Sequence, residues 1–219
     1  MGKPFRVGFL LYPHVTQLDL TGPAQFLSRM SDTVVHLAWK NREPVSTDAG
    51  FSILPTDNFA SSPDLDLICI PGGGGQPAMM SDGAVLDWLT RQGRQAAYVT
   101  SVCSGSLLLG AAGLLTGYRA SSHWACLDRL AAFGATPVAE RVVVDRNRIT
   151  GGGVTAGIDL ALAVIAEVRG IDEARAIQLA FEYAPDPPFD SGTPEKASPE
   201  IIAAANLILR RMVAEATLP

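Results

Sequence analysis

The chain has 219 residues, of which 47% are hydrophobic and 18% are charged, and its formal net charge is −5 at pH 7. This composition excludes a disordered chain, and an acidic chain without a Lys/Arg cluster is unsuited to nucleic acid or to an anionic membrane. The first residues lack the apolar core of a signal peptide and no apolar run is long enough to span a bilayer, so we expect a cytoplasmic protein.

Short apolar runs alternate with helix-like segments along the first half of the chain. The first run predicts a buried strand over residues 5–11, which Pro13 ends. Thr21 and Pro23 then predict the cap and first turn of a helix that runs to about Met30. Further patterns predict strands at 34–39 and 65–70, a small hairpin within 44–55 and a helix at 84–95.

Four consecutive glycines, Gly72 to Gly75, directly follow the predicted strand at 65–70. Such a run indicates backbone that approaches another group closely or adopts positive φ angles. A phosphate-binding loop is the alternative, although the spacing and Lys of a P-loop and the GxGxxG of a dinucleotide site are absent. The glycine loop predicts backbone N–H groups, Gly73 among them, that could stabilise an anion beside a reactive side chain.

The stretch 98–112 changes from a β-prone apolar run to a Leu- and Ala-rich helix without room for a loop. The change falls at Cys103-Ser104-Gly105-Ser106. A strand that turns into a helix within one residue strains the residue at the corner and presents its side chain above the sheet edge. We therefore predict that Cys103 is a nucleophile, with its thiolate stabilised by the helix N-terminus and by the Ser104 N–H. The alternative is an unreactive cysteine packed at a strand end.

The second half of the chain continues the alternation of strands and helices. Patterns predict a short strand at 119–121, a helix at 123–133 closed by Gly134, a hairpin over 141–150, and helices at 155–168 and 171–183, the latter capped by Asp172. A Pro-rich segment, 184–199, precedes a terminal helix that we expect to pack on the domain or on a second subunit. The whole pattern predicts one domain over 1–219, an α/β fold with a mostly parallel sheet and helices on both faces.

Two side chains are candidate partners of the thiol. Asp19 follows the first strand, and a carboxyl beside Cys103 would have a raised pKa and could donate a proton. A helix cap or a solvated carboxylate is the other interpretation of Asp19. His123 could orient or deprotonate the thiol, or could simply cap the helix that begins there. Neither His14 nor His36 is spaced with other ligands, so no metal site is predicted. Cys69 and Cys126 are interpreted as core residues.

Several of these motifs resemble those of the DJ-1/PfpI superfamily. The resemblance rests on the stretches Val-Thr-Ser-Val-Cys-Ser-Gly at 99–105, Pro-Gly-Gly at 71–73 and Arg-Ala-Ser-Ser-His-Trp at 119–124. Within that superfamily the stretches at 17–23, 151–159 and 178–189 are similar to those of isocyanide hydratases. The resemblance extends along the chain to about Pro194 and implies a flavodoxin-like fold.

The resemblance also implies roles for individual residues. Cys103 would be the nucleophile, Asp19 the acidic partner and Ser104 a site residue at a position where the hydratases carry Thr. Many superfamily members have Glu at the Asp19 position. The stretch at 151–159 adds Gly152 and Val154 as supporting residues. The expected reaction converts an isocyanide and water into an N-substituted formamide, without a metal or organic cofactor, in a homodimer.

Three other functions fit parts of the same pattern. A glyoxalase-like or deglycase-like enzyme would use the Cys103 thiol on small carbonyls. A ligand-sensing domain of a transcription regulator would share the stretches at 119–124 and 151–159, but we expect no DNA-binding domain because the chain ends about twenty residues after Pro199 without a basic recognition helix. A redox sensor would oxidise Cys103 to a sulfinate.

Overall fold

A computed structural model describes residues 2–217, and this part of the chain forms eleven strands, seven α-helices and one 3₁₀ helix. The strands are β1 Phe5–Leu10, β2 Thr33–Trp39, β3 Val45–Ser46, β4 Ser52–Ile53, β5 Asp57–Asn58, β6 Leu67–Ile70, β7 Tyr98–Val102, β8 Arg119–Ala120, β9 Thr136–Pro137, β10 Val142–Asp145 and β11 Arg148–Gly151. The helices are α1 Gln17–Leu27, α2 Gln76–Met79, α3 Gly83–Gln95, α4 Gly105–Ala111, the 3₁₀ helix Trp124–Phe133, α5 Ala156–Arg169, α6 Ile171–Ala180 and α7 Pro199–Glu215.

Seven strands form the main sheet in the order β10-β11-β7-β6-β1-β2-β5. Every neighbouring pair is parallel except β10 and β11, which form the antiparallel hairpin at one edge. The five strands β2, β1, β6, β7 and β11 follow the flavodoxin-like order 2-1-3-4-5. The predicted fold class, an α/β fold with a mostly parallel sheet, is confirmed.

The helices cover both faces of this sheet. The crossover through α1 steps from β1 to β2, whereas the crossover through α3 steps from β6 to β7 in the opposite direction along the sheet. Because such crossovers are right-handed, opposite steps place their helices on opposite faces. On one face α5 packs against both α1 and α6, and on the other α3 packs against α4.

The central strands are apolar because both of their faces are covered. All four residues of β6 are buried, and so are Val99 to Val102 of β7. Such strands read as continuous hydrophobic runs rather than as alternating patterns. Two polar side chains in β7, Thr100 and Ser101, are nevertheless fully buried, and Thr100 Oγ1 donates a hydrogen bond to the Ile68 carbonyl at 2.9 Å.

Three helices differ from their predictions. Helix α1 begins at Gln17 instead of near Thr21, so Asp19 lies in its first turn and Pro23 lies inside it. The segment that closes at Gly134 is a 3₁₀ helix, with Gly134 in the left-handed conformation as predicted. Helix α6 is preceded by Gly170 as its N-cap, so Asp172 is not the cap but a first-turn residue. The start of α1 differs because Pro23 favours a first-turn position, although a proline can also lie deeper in a helix at the cost of one hydrogen bond.

Helix α7 lies on the surface and presents one face to the rest of the molecule. Ser198 caps it, and the Ser198 hydroxyl accepts a hydrogen bond from the Ile201 N–H at 3.4 Å. None of its residues is fully buried, and large side chains such as Leu207 and Ile208 are more than half exposed. Among the described residues, no helix combines the length and apolar character that crossing a bilayer requires.

Candidate active site

The predicted reactive residues meet at the carboxyl ends of β1, β6 and β7. In an open α/β sheet, ligands bind outside these strand ends where the strand order reverses. Here the order reverses between β1 and β6, and the next strand, β7, leads into Cys103. The topology therefore brings α1 with Asp19, the glycine loop at 72–75 and the Cys103 corner to one edge of the sheet.

Cys103 has the strained backbone that the sequence predicts for a strand-to-helix corner. Its φ angle is 57°, a left-handed conformation that non-glycine residues adopt infrequently. The Cys103 N–H donates to the carbonyls of Gly151 at 3.1 Å and Gly152 at 2.7 Å. The Cys103 carbonyl accepts from the hydroxyls of Ser106 at 3.2 Å and Ser122 at 3.1 Å. These four hydrogen bonds hold the corner in its strained conformation.

Asp19 is fully buried beside this corner. Its Oδ2 accepts a hydrogen bond from the Gly72 N–H at 2.8 Å, whereas its Oδ1 is buried without a hydrogen-bond partner among the described residues. Burial raises the pKa of Asp19 to about 7, although hydrogen bonds from the Gly72 N–H and the Cys103 side chain oppose the rise. Near neutral pH this carboxyl is therefore able both to accept and to donate a proton.

The thiol and the carboxyl form a coupled pair. Burial raises the pKa of the Cys103 thiol, and the negative charge of Asp19 raises it further. The Ser104 N–H lowers it, which is the effect predicted for the helix N-terminus, but burial outweighs this contribution. Because each negative charge opposes the other, the pair does not lose both protons near neutral pH.

The glycine loop packs directly against both reactive residues. A Cβ on Gly72 would lie 2.6 Å from Ser104 Oγ, 2.7 Å from the Ser104 nitrogen and 3.0 Å from Asp19 Oδ2, so only glycine fits this position. The next residue, Gly73, donates its N–H to Ser104 Oγ at 3.3 Å. The loop thus links Asp19 to Ser104 through two successive backbone N–H groups.

His123 and Cys126 lie near the corner, on the 3₁₀ helix. His123 is its N-cap, and its Nδ1 accepts a hydrogen bond from the Ala125 N–H at 3.2 Å. Burial lowers the pKa of His123, which favours the neutral ring that such an acceptor needs. Cys126 is half-buried and packs against the core, with its Sγ 3.3 Å from Ser122 Oγ, so it lies at the edge of the core rather than inside it. Cys69, in contrast, is fully buried within β6 as predicted.

A cavity of about 200 Å³ opens above the thiol. Cys103, Ser104, Gly73, His123 and Val154 are all among the residues that line it. Gly152 is not among the lining residues of this cavity; its carbonyl accepts a hydrogen bond from the Cys103 N–H. Most of the remaining lining is apolar: Gly74, Pro77, Leu107, Ala125, Leu209, Met212 and Val213. Among the described residues no three His, Cys, Asp or Glu side chains are grouped as metal ligands.

The sequence did not point to several residues that build this site. Ser122 lies in the stretch 119–124, but the hydrogen bond from its hydroxyl to the Cys103 carbonyl has no local sequence signal. Tyr12 is fully buried, and its hydroxyl donates to the Pro71 carbonyl at 3.0 Å. Burial raises the pKa of Tyr12, with the charges of Asp19 and Cys103 adding to the effect, so its ring lies close to the pair.

The fold and this geometry agree with the comparisons to known proteins. Residues 5–167 match the sequence profile of the DJ-1/PfpI family. The chain belongs to this family. An isonitrile hydratase from Pseudomonas putida is 51% identical to this DJ-1/PfpI protein over 216 residues, which are 96% of this chain and 95% of that enzyme.

Two other proteins similar to this chain are a solved structure and a transcriptional regulator. The crystal structure of a ThiJ/PfpI family protein from Pseudomonas syringae has a TM-score of 0.92 at 44% identity, covering 99% of this chain and 90% of that one. The HTH-type transcriptional regulator GbdR of Pseudomonas aeruginosa is 32% identical over 190 residues, 83% of this chain but 51% of the regulator. The relatives of this chain therefore include both an enzyme and a regulator, and the match to the regulator spans about half of its length.

Proposed function

We propose that this DJ-1/PfpI protein is an enzyme, a cysteine-dependent isocyanide hydratase that converts R–N≡C and water into the formamide R–NH–CHO. The observation that carries the proposal is the Cys103 thiol at a strained corner, coupled to the buried Asp19 carboxyl beneath an apolar cavity. The 51% identity to an isonitrile hydratase over nearly the full length of both chains supports the same reaction.

In the first step Cys103 attacks the terminal carbon of the isocyanide. Asp19 takes the thiol proton, and the thiolate sulfur forms a bond to the carbon, which is unhindered and accepts a soft nucleophile. Asp19 then returns its proton to the same carbon, and the product is a thioimidate, R–N=CH–S–Cys103. A carboxyl whose pKa is about 7 suits both proton transfers.

In the second step water attacks the thioimidate carbon. The nitrogen gains a proton as its double bond to carbon is lost, and a tetrahedral R–NH–CH(OH)–S–Cys103 forms. Asp19 is the group that would move protons to and from this intermediate, while Ser104, whose Oγ accepts a hydrogen bond from the Gly73 N–H, lines the cavity beside the thiol. Breaking the carbon–sulfur bond releases the formamide and restores the thiol.

The decisive experiment measures formamide production by chromatography with the purified protein and cyclohexyl isocyanide. We expect turnover by the wild type and a loss of at least about a thousandfold for Cys103→Ala, since the covalent route is then closed. Cys126→Ala is the matched control, because this second cysteine lines the same cavity but lies outside the corner. It should retain the greater part of the activity, and comparable losses in both variants would refute the role of Cys103.

The covalent intermediate gives an independent test. Rapid acid quenching during turnover followed by peptide mass spectrometry should find the whole mass of the isocyanide added to the peptide that contains Cys103. A parallel assay with methylglyoxal asks whether the thiol acts on carbonyls instead. Turnover of methylglyoxal without turnover of any isocyanide would replace the proposed function by a glyoxalase activity.

We further propose a homodimer located in the cytoplasm that acts on a small molecule rather than on nucleic acid. The net charge of −5 gives no electrostatic attraction to nucleic acid. Light scattering coupled to gel filtration should report twice the mass of one chain, and the mass of a single chain would reject the dimer.

A further inference from the structure

Helix α7 supplies one wall of the cavity that holds the reactive thiol. Leu209, Met212 and Val213 line the cavity together with Cys103. Their spacing of three and four residues places them on one face of the helix. The half-buried residues of α7 share this face, whereas Leu207 lies on the other side and is 54% exposed. No residue of this helix belongs to the catalytic corner.

Helix α7, which forms this wall, packs against the glycine loop at 72–75. A Cβ on Gly74 would collide with the Met212 carbonyl, so the backbone of α7 lies in direct contact with the loop. Gly72 and Gly73 of the same loop hydrogen-bond Asp19 and Ser104. The position of the wall is therefore tied to the position of the reactive groups, and the distance between the two limits what fits.

The cavity is small and lined mainly by apolar side chains, although Thr16, Gln76 and Arg129 also line it and one side is open to solvent. Outside α7, Pro77, Leu107 and Val154 supply further apolar lining, and the volume of the cavity is about 200 Å³. An apolar protein cavity of about 150 Å³ is enough to bind benzene. A group of roughly six carbon atoms therefore fills this space once it is attached to the reacting carbon.

We propose that α7 sets the size limit for the R group of the substrate, with Leu209 and Met212 as the specificity-determining residues. The substrate class is then isocyanides with a compact hydrocarbon R group of up to about six carbon atoms. This inference rests on the proposed hydratase function, since it names the substrates of that same site. Larger groups are excluded by contact with the side chains of α7 rather than by any lack of reactivity.

The first test compares kcat/KM for two substrates, 1-adamantyl isocyanide and ethyl isocyanide. Leu209→Ala and Met212→Ala should each raise the ratio of the bulky to the small substrate about tenfold, because they remove side-chain atoms that the bulky group meets. Leu209→Phe should lower this ratio. Leu207→Ala, a truncation of the exposed face of the same helix, should leave the ratio at its wild-type value. Equal ratios in Leu209→Ala and Leu207→Ala would overturn the inference.

A second test does not depend on hydratase activity. Maleimides alkylate thiols by adding the sulfur and its proton across a carbon–carbon double bond. The rates of Cys103 labelling by N-methylmaleimide and N-cyclohexylmaleimide therefore report how easily each reagent reaches the thiol, independently of isocyanide turnover. Peptide mass spectrometry separates this labelling from that of Cys126. Met212→Ala should increase the relative rate of the cyclohexyl reagent several-fold, whereas Leu207→Ala should not change it.

The two tests distinguish the two proposals. If no isocyanide is hydrated but the labelling ratio responds to Met212→Ala, the proposed function is rejected and the size limit set by α7 is retained. If isocyanides are hydrated but neither ratio responds, the proposed function is retained and the size limit set by α7 is rejected. A melting curve for each variant identifies unfolded protein, and Leu209→Phe, which fills space instead of emptying it, keeps the first test decisive if an alanine variant does not fold.

Discussion

The floor and the wall of the cavity are held in place by different forces. We call Cys103, Asp19, Gly72 and Ser104 the floor, and Leu209, Met212 and Val213 the wall. The floor is positioned by directed hydrogen bonds, among them those from the Gly72 N–H to Asp19 and from the Cys103 N–H to the Gly152 carbonyl. The wall lies on a helix without a single fully buried residue, and its apolar side chains make undirected contacts.

This difference teaches which property each region controls. Hydrogen bonds weaken steeply with distance and angle, so a displacement of the floor impairs proton transfer for every substrate. Apolar contacts depend on shape and tolerate substitution, so a change in the wall alters which R groups fit. Substitutions in the floor should therefore lower turnover uniformly, and substitutions in the wall should change selectivity.

After Cys103→Ala, the largest effect is expected from Asp19→Asn. The amide retains the shape of the carboxyl but cannot exchange a proton, so kcat/KM should fall by about 10²–10⁴ for small and bulky isocyanides alike. Asp48→Asn is the matched control, because Asp48 contributes to the raised pKa of Asp19 only as a nearby charge and instead accepts hydrogen bonds from Thr16 and Gln17. Equal losses in the two variants would remove Asp19 from the mechanism.

The pH profile sharpens the same assignment. In the proposed mechanism the competent pair holds one proton, which leaves the thiol for Asp19 as attack begins. Below about pH 7 Asp19 is already protonated while the thiol keeps its own proton, so the base is lost. In the wild type kcat/KM should therefore rise with pH through about 7, and Asp19→Asn should lack this limb. A profile that is flat between pH 5 and 8 in the wild type would contradict a pKa of about 7.

Gly72→Ala should have the next largest effect. Its Cβ would lie within 3.0 Å of Ser104 and Asp19, so the loop, the carboxyl or the corner must move. We expect kcat/KM to fall roughly 10- to 100-fold for every substrate, in line with the cost of small misplacements at reacting groups. Gly83→Ala is the control, because an added Cβ there meets no atom within 4 Å and Gly83 lies in helix α3. That variant should keep full activity and slightly raised stability.

Most of the floor could be predicted from the sequence, because local sequence patterns indicate its residues. The abrupt change from strand to helix at Cys103 predicts both the corner and its strained backbone, and the glycines at 72–75 predict a close backbone approach. The parallel sheet then follows from the alternation of strands and helices, and its topology brings the strand ends together. Asp19 could be named as a candidate only, because its burial depends on packing between α1 and the glycine loop.

The wall could not be predicted in the same way. Periodic apolar residues indicate that one face of α7 is covered, but the same pattern fits a helix packed on any apolar surface. Met212 contacts Gly74, and these two residues are far apart in the sequence, so no local pattern predicts the contact. The raised pKa of Cys103 was also missed, because the helix N-terminus is visible in the sequence whereas the depth of burial is not. The extent of the domain over 1–219 stays a prediction.

The buried Asp19 carboxyl makes the free energy of unfolding of the protein depend on pH. The folded state raises the pKa of Asp19 from 3.8 to about 7, so the folded chain binds a proton more tightly than the unfolded chain does. Stability should therefore fall as pH rises from about 4 to about 7. At pH 8 Asp19→Asn should be more stable than the wild type by about 2–4 kcal/mol in urea unfolding, and this difference should shrink towards pH 4. A less stable Asp19→Asn at pH 8 would contradict the cost assigned to the buried charge.

The smallest effect is expected from Ser198→Ala, at the start of the helix that carries the wall. This change removes the cap of α7, where the Ser198 hydroxyl accepts a hydrogen bond from the Ile201 N–H, and should cost the helix about 1 kcal/mol. Since α7 makes mainly apolar surface contacts, the loss should appear as faster amide hydrogen exchange within 199–215, with kcat/KM for ethyl isocyanide within about twofold of wild type. Ser28→Ala, which removes an exposed hydroxyl bonded to the Gln25 carbonyl at the end of α1, should leave exchange in α7 unchanged. A large loss of activity on the small substrate would mean that the wall holds the floor in place, and the separation between the two regions would then be wrong.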